Sequence, residues 1–148
     1  MKLRRLGVRL LQSLGLVLVA YLFVCLMTAS VRQSAFAFEL PGLIEPDSNS
    51  GRELLLFCVP GQLLFVLLGC FFRRPGLLIG AYLLAATTTA LLQCQLFAEA
   101  FGSTWSNAEI FGLLAVNLPS LLLALAPGLA LLWGLERISR VRRSHSCG

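Results

Sequence analysis

The chain has 148 residues, of which 57% are hydrophobic and 13% are charged, and its formal net charge is +5. Soluble domains carry about 25% charged residues, so this composition excludes an ordinary soluble domain and predicts an integral membrane protein. Nearly all the apolar residues fall in four long runs, which leaves no segment large enough to form a soluble domain with its own core.

The four runs contain no charged residue, and each is long enough to cross a bilayer. A hydrocarbon core of about 30 Å takes about 20 helical residues to span. We therefore predict an all-α membrane protein, a single domain over residues 1–148 in which four transmembrane helices form an antiparallel bundle. The predicted elements are helices at about 9–30, 53–72, 75–98 and 109–135, an outer loop at 31–52, and a basic tail at 136–148 that extends into solvent.

The first predicted helix follows a basic segment, as the apolar part of a signal peptide does. Ala35-Phe36-Ala37 beyond it matches a small-x-small cleavage site. However, its apolar stretch of 18 residues exceeds the roughly 7–15 that are usual in a signal peptide. We expect this helix to be retained. Cleavage is the alternative, and it would leave three spans with the amino terminus outside.

The second and fourth predicted helices are both preceded by Ser-x-x-Glu, the signature of a capping box. The pairs are Ser50 with Glu53 and Ser106 with Glu109. Pro60 and Pro127 lie within the second and fourth helices, and Pro119 interrupts the fourth near its middle. Each proline removes an amide and loosens the preceding turn, so we predict kinked helices.

The basic residues sort to one side when the helices are threaded alternately. Ten of the twelve lie on the side of the termini, with one acid, whereas the other side carries two bases and six acids. This is the positive-inside pattern, which predicts cytoplasmic termini and favours a bacterial inner membrane. The arginine clusters are expected to attract anionic lipids, and we predict no binding of nucleic acid.

Small residues on the predicted helices are expected to mediate helix packing, because helices in lipid associate through close backbone contact. They include a Gly-x-x-x-Gly pair at the start of the third helix. The predicted packing residues are Gly69, Gly76, Gly80, Ser120, Ala124 and Gly128.

Polar residues at a similar depth form the candidate binding site. Counting from the outer boundary at about 1.5 Å per residue, Gln62, Gln93 and Asn117 lie roughly 8–13 Å below the surface. Thr89 and Tyr82 lie on the same face of the third helix as Gln93. These five residues predict either interhelical hydrogen bonds or a shallow polar pocket, open to the outside, for a small polar molecule or a lipid head group.

No ionisable side chain lies inside any of the four runs, and no set of residues suited to catalysis, metal binding or cofactor binding can be assembled. We therefore expect a non-catalytic accessory or assembly subunit that packs against the helices of other membrane subunits. One alternative is a homo-oligomeric unit that binds or transports a small molecule or lipid through the polar pocket. The other is a thiol-redox enzyme that uses Cys25, Cys58 and Cys94.

Overall fold

The computed structural model describes residues 2–33, 35–36, 50–72, 74–100 and 104–144. These residues form five α-helices and no strand, which confirms the predicted all-helical class for the described part of the chain. The helices are α1 (Lys2–Arg32), α2 (Ser50–Phe71), α3 (Pro75–Ala100), α4 (Asn107–Val116) and α5 (Leu118–Ser144).

Four of these helices are long and apolar enough to cross a membrane, as predicted. The qualifying segments are Arg5–Val31, Arg52–Phe71, Pro75–Glu99 and Leu118–Ser139. Most of the predicted outer loop, at residues 37–49, lies outside the described residues.

Contacts between the helices fix their relative directions. Arg9 near the start of α1 meets Glu136 of α5, and Gln12, one turn further along α1, meets Leu132, one turn earlier on α5. α1 and α5 therefore run antiparallel. The same reversal holds for α1 with α2, in the pairs Arg9–Gly69 and Ser13–Gln62, and for α2 with α3, in the pairs Gly61–Thr89 and Gly69–Leu78.

Two ends of the bundle can thus be defined. At one end of the bundle α1 and α3 begin and α2 and α5 end, and we call it the Arg9 end. We call the Ser106 end the opposite one, where α1 and α3 end and where α2 and α4 begin.

The fourth predicted helix consists of two helices, α4 and α5, which meet at Asn117. Pro119 explains the break, because it has no amide to donate to Ala115 and its ring crowds that carbonyl. Asn117 keeps its own backbone bond to Leu113 at 3.1 Å, and Leu121 donates to Asn117 at 3.0 Å. The break is therefore a kink at which the hydrogen-bond ladder resumes within one turn.

α5 also continues to Ser144, so the basic segment that we expected to fray into solvent is helical over residues 136–144. Nothing in this segment breaks a helix, and its arginines are good helix formers. The guanidinium of Arg137 lies 5.1 Å from the ring centroid of Trp133, one turn earlier, in a cation–π contact. Such a pair stabilises the helix where it leaves the bundle.

The start of α4 forms the predicted capping box. The hydroxyl of Ser106 accepts a hydrogen bond from the amide of Glu109, and the Glu109 carboxylate accepts one from the Ser106 amide at 2.6 Å. At the other predicted box, α2 begins at Ser50 itself, so Ser50 is the first helical residue rather than the cap. Glu53 has one carboxylate oxygen buried without a partner among the described residues.

The core lies between α1, α2, α3 and α5, and close backbone approach at two glycines shapes it. A Cβ atom on Gly15 would lie 2.8 Å from Tyr82 Oη. A Cβ atom on Gly128 would overlap Val19 and lie 2.5 Å from the same oxygen. Only glycine therefore lets α1 and α5 close around the Tyr82 ring. The other large side chains at the centre are Leu16, Phe23, Met27 and Phe65, each at most 1% exposed.

Candidate functional site

Gln62, the first residue of the predicted polar pocket, is directed toward α1. Its Nε2 donates to the backbone carbonyl of Ser13 at 3.3 Å. Ser13 in turn donates from its hydroxyl to the carbonyl of Leu10 at 2.7 Å. Gln62 therefore links α2 to α1, and it forms no hydrogen bond with Gln93 or Asn117.

Thr89 and Tyr82 line the interior face of α3. The hydroxyl of Thr89 donates to the carbonyl of Ala85, on its own helix, at 2.9 Å. Thr89 also lies so close to Gly61 that no side chain fits at that position of α2. Tyr82 is fully buried and packs edge-on against Phe65, with ring centroids 5.4 Å apart. Its hydroxyl has no hydrogen-bond partner.

Gln93 and Asn117 are buried and only partly satisfied. The Nδ2 of Asn117 donates to the carbonyl of Leu113 at 2.9 Å, whereas its Oδ1 has no partner. Both Oε1 and Nε2 of Gln93 lack one. A buried polar atom that loses its hydrogen bond costs about 1–3 kcal/mol, so these two amides stand out from the rest of the core. No hydrogen bond joins any two of the five predicted pocket residues.

The predicted packing residues divide into two groups. Gly69, Ala124 and Gly128 are buried inside the bundle, and Ser120 is half-buried. Gly76 and Gly80 are exposed on α3, and a Cβ atom on either would meet nothing within 4 Å.

A second polar cluster lies at the Arg9 end, and the sequence reading did not anticipate it. Arg9 is only 9% exposed. Its Nε donates to the carbonyl of Gly69 at 3.1 Å, and its NH1 group donates to Gln12 at 2.6 Å and to Glu136 at 2.9 Å. Gln12, itself fully buried, donates to the carbonyl of Leu132 at 3.2 Å. We call these residues the Arg9 cluster.

The Arg9 cluster corrects the expectation that charge stays outside the spans. Arg9 immediately precedes the first uncharged run and Glu136 immediately follows the last. The charge pattern predicts that both lie on the side of the termini, and the structure shows that their side chains are only 11% and 20% exposed and form an ion pair. One signal was present, since Glu136 is the single acid on a side with ten bases. In the described part of the chain it forms an ion pair with Arg9.

The cluster joins α1, α2 and α5 through charge-assisted hydrogen bonds, which are roughly twice as strong as neutral ones. The guanidinium faces one carboxylate and two neutral acceptors, so its charge is compensated within the bundle. This arrangement fixes the register of three helices.

The cysteines considered for redox chemistry are buried free thiols on three different helices. Cys25 lies on α1, Cys58 on α2 and Cys94 on α3. Cys94 Sγ contacts Met27 Sδ at 4.0 Å, the kind of sulfur packing that is common in apolar cores. Within the described ranges, no group of three or more His, Cys, Asp or Glu side chains is arranged to hold a metal ion.

No known protein family matches this chain, and neither does any curated protein or solved structure.

Proposed function

We propose that this chain is an integral membrane protein, with both termini in the cytoplasm, that acts as a non-catalytic accessory or assembly subunit. In this proposal the four long helices cross the bilayer, and the Arg9 end faces the cytoplasm and its anionic lipids. The exposed face of α3 near that end packs against a transmembrane helix of a partner subunit or of a second copy.

The span lengths and the charge distribution support the membrane part of the proposal. Four helices exceed the roughly 20 residues that a bilayer requires. Nine of the eleven basic residues that the structure describes belong to the Arg9 end. Positive charge of this kind marks the cytoplasmic side. Large apolar side chains also remain exposed on the outside of the described helices, as lipid contact requires.

The open glycine pair on α3 carries the docking part of the proposal. Gly15, Gly61 and Gly128 each receive a side chain from a neighbouring helix, so their missing Cβ atoms are explained within the chain. Gly76 and Gly80 receive nothing. They are four residues apart on one face of a helix, which is the spacing that allows a second helix to approach closely. We call this surface, with the exposed Leu84 one turn beyond, the α3 glycine face.

A cross-linking experiment in native membranes tests this role. A photo-reactive residue at Leu84 should capture one discrete partner, whose added mass identifies it as a second copy or as another subunit. Gly80→Leu should abolish that product, because a leucine side chain would hold the partner helix away.

Gly112→Leu is the matched control. Gly112 is also helical and exposed, and a Cβ atom there meets nothing within 4 Å, but it lies on α4. We expect this variant to keep the cross-link at Leu84. A monomer that yields no discrete product in mild detergent and in membranes would contradict the proposal, as would a product that survives Gly80→Leu.

A further inference from the structure

Gln93 and Asn117 carry three polar atoms that no described residue satisfies. They are Oε1 and Nε2 of Gln93 and Oδ1 of Asn117. Gln93 is 2% exposed and Asn117 is 1% exposed, so bulk solvent does not reach these side chains. Buried polar atoms in folded proteins are nearly always paired with protein groups or with ordered water. Two partly satisfied amides in one core therefore identify a site.

The two residues lie at the same level of the bundle. Tyr82 of α3 contacts Gly128 of α5, which fixes the register between these antiparallel helices. Eleven residues from Tyr82 toward the Ser106 end lead to Gln93, and eleven residues from Gly128 toward the same end lead to Asn117. At about 1.5 Å per residue, each step rises about 16 Å.

The two residues also face each other. Eleven residues make just over three full helical turns, since the α-helix has 3.6 residues per turn. Gln93 therefore projects from the same side of α3 as Tyr82, and Asn117 from nearly the same side as Gly128. α3 packs against both α4 and α5, and both residues are buried, so this periodicity directs both amides toward the interior of the bundle.

The kink contributes to this site. Asn117 is the residue at which α4 ends and α5 begins. Its Nδ2 is held by the carbonyl of Leu113 at 2.9 Å, which leaves Oδ1 to face away from that bond. The side-chain carbonyl is thus presented at a fixed position.

The chemistry of the unpaired atoms defines what binds there. Two are carbonyl oxygens that require a hydrogen-bond donor, and one is an amide nitrogen that requires an acceptor. A metal cation cannot accept the N–H group, and an anion cannot donate to the carbonyls. A small neutral molecule that both donates and accepts satisfies all three, and water is the smallest such molecule.

We propose that Gln93 and Asn117 together hold a bound water molecule, which bridges α3 to the junction of α4 and α5. The bridge keeps the kinked segment attached to α3 although no direct hydrogen bond joins the two amides. This inference is independent of the docking role proposed for the α3 glycine face, which lies at the opposite end of α3.

Two sulfur atoms beside the site make it testable without introducing a probe. Cys94 follows Gln93 in the chain, and its Sγ contacts Met27 Sδ. When X-rays ionise a bound water molecule, the hydroxyl radical oxidises the nearest sulfur even if bulk solvent cannot reach it. Pulsed X-ray labelling of the full chain in detergent, read by mass spectrometry, measures this oxidation residue by residue.

We expect Met27 and Cys94 to be oxidised several-fold faster than Cys58, which is equally buried but lies on α2. Cys94 should at the same time resist a water-soluble maleimide, which reports bulk access. Gln93→Leu and Asn117→Leu should each bring the oxidation of Met27 down to the level of Cys58. Gln95→Leu is the matched control, because Gln95 is exposed on the same helix, and it should leave the rate unchanged.

Two results would overturn the proposal. The first is that Met27 and Cys94 of the wild-type protein are oxidised no faster than Cys58. This comparison uses only the wild-type protein, so it tests the proposal even if the variants do not fold. The second is a rate that stays high in folded Gln93→Leu.

Discussion

Replacing Arg9 with methionine should destabilise the bundle far more than replacing any other arginine of α1. The substitution keeps an apolar stem similar to the aliphatic part of arginine, and it removes the charge and the three hydrogen-bond donations. Glu136 then loses the guanidinium that faces it, although its side chain stays 20% exposed. The carbonyl of Gly69 and the amide of Gln12 also lose their donors.

The magnitude follows from the burial of the pair. Removing one partner of a buried ion pair costs about 3–5 kcal/mol. The lower end applies here, because the Glu136 side chain keeps some contact with solvent. We therefore expect Arg9→Met and Glu136→Leu each to lower the free energy of unfolding by about 3 kcal/mol. The double variant should also lose about 3 kcal/mol rather than 6, a coupling of about 3 kcal/mol between the two sites.

Unfolding of the purified protein in mixed detergent micelles, followed by circular dichroism, provides the measurement. Arg5→Met serves as the control, because Arg5 is half-buried one turn earlier on α1 and forms no ion pair with a described residue. It should change the free energy of unfolding by less than about 0.5 kcal/mol. Additive losses in the double variant, or single losses below about 1 kcal/mol, would refute the assignment of the Arg9 cluster as a structural tie.

Two further substitutions test the core. Gly128→Leu should lower the free energy of unfolding by at least about 3 kcal/mol, since the new side chain collides with Val19 and Tyr82. Gly134→Leu is the control and should be tolerated, because a Cβ atom there meets nothing within 4 Å. Equal effects of the two substitutions in thermal unfolding would contradict this packing. Tyr82→Phe should be neutral or stabilise the protein by up to about 1 kcal/mol, because it removes a buried hydroxyl without a partner. A clear loss of stability in the same assay would show that the hydroxyl is bound.

The number of long helices and their approximate bounds could be predicted because a bilayer-length apolar run is a strong signal in a single sequence. The capping box at Ser106 and Glu109 could also be predicted, since it depends only on residues three positions apart. Pro119 predicts a kink in the fourth helix, but the helix is interrupted two residues earlier, at Asn117. A proline disturbs the preceding turn, and the local bonds of Asn117 decide where in that turn the helix divides.

The composition of the candidate site could be predicted only in part. Counting residues along a span gives depth but not direction, so Gln62 was grouped with Gln93 although its side chain bonds to α1. The Arg9 cluster was missed for a different reason. Charged residues mark the ends of the uncharged runs, so the sequence places Arg9 and Glu136 at run boundaries without indicating that they are partners. Only the three-dimensional structure shows that Arg9 and Glu136 contact each other.

The pairing of Arg9 with Glu136 has a consequence for synthesis. The two residues are separated by 127 positions, so at roughly 5–20 residues per second the ribosome needs about 6–25 s after making the first of them to make the second. During that interval Arg9 has no Glu136 with which to form its ion pair. A nascent chain halted before the last helix would leave Arg9 without the carboxylate that compensates its charge in the finished protein.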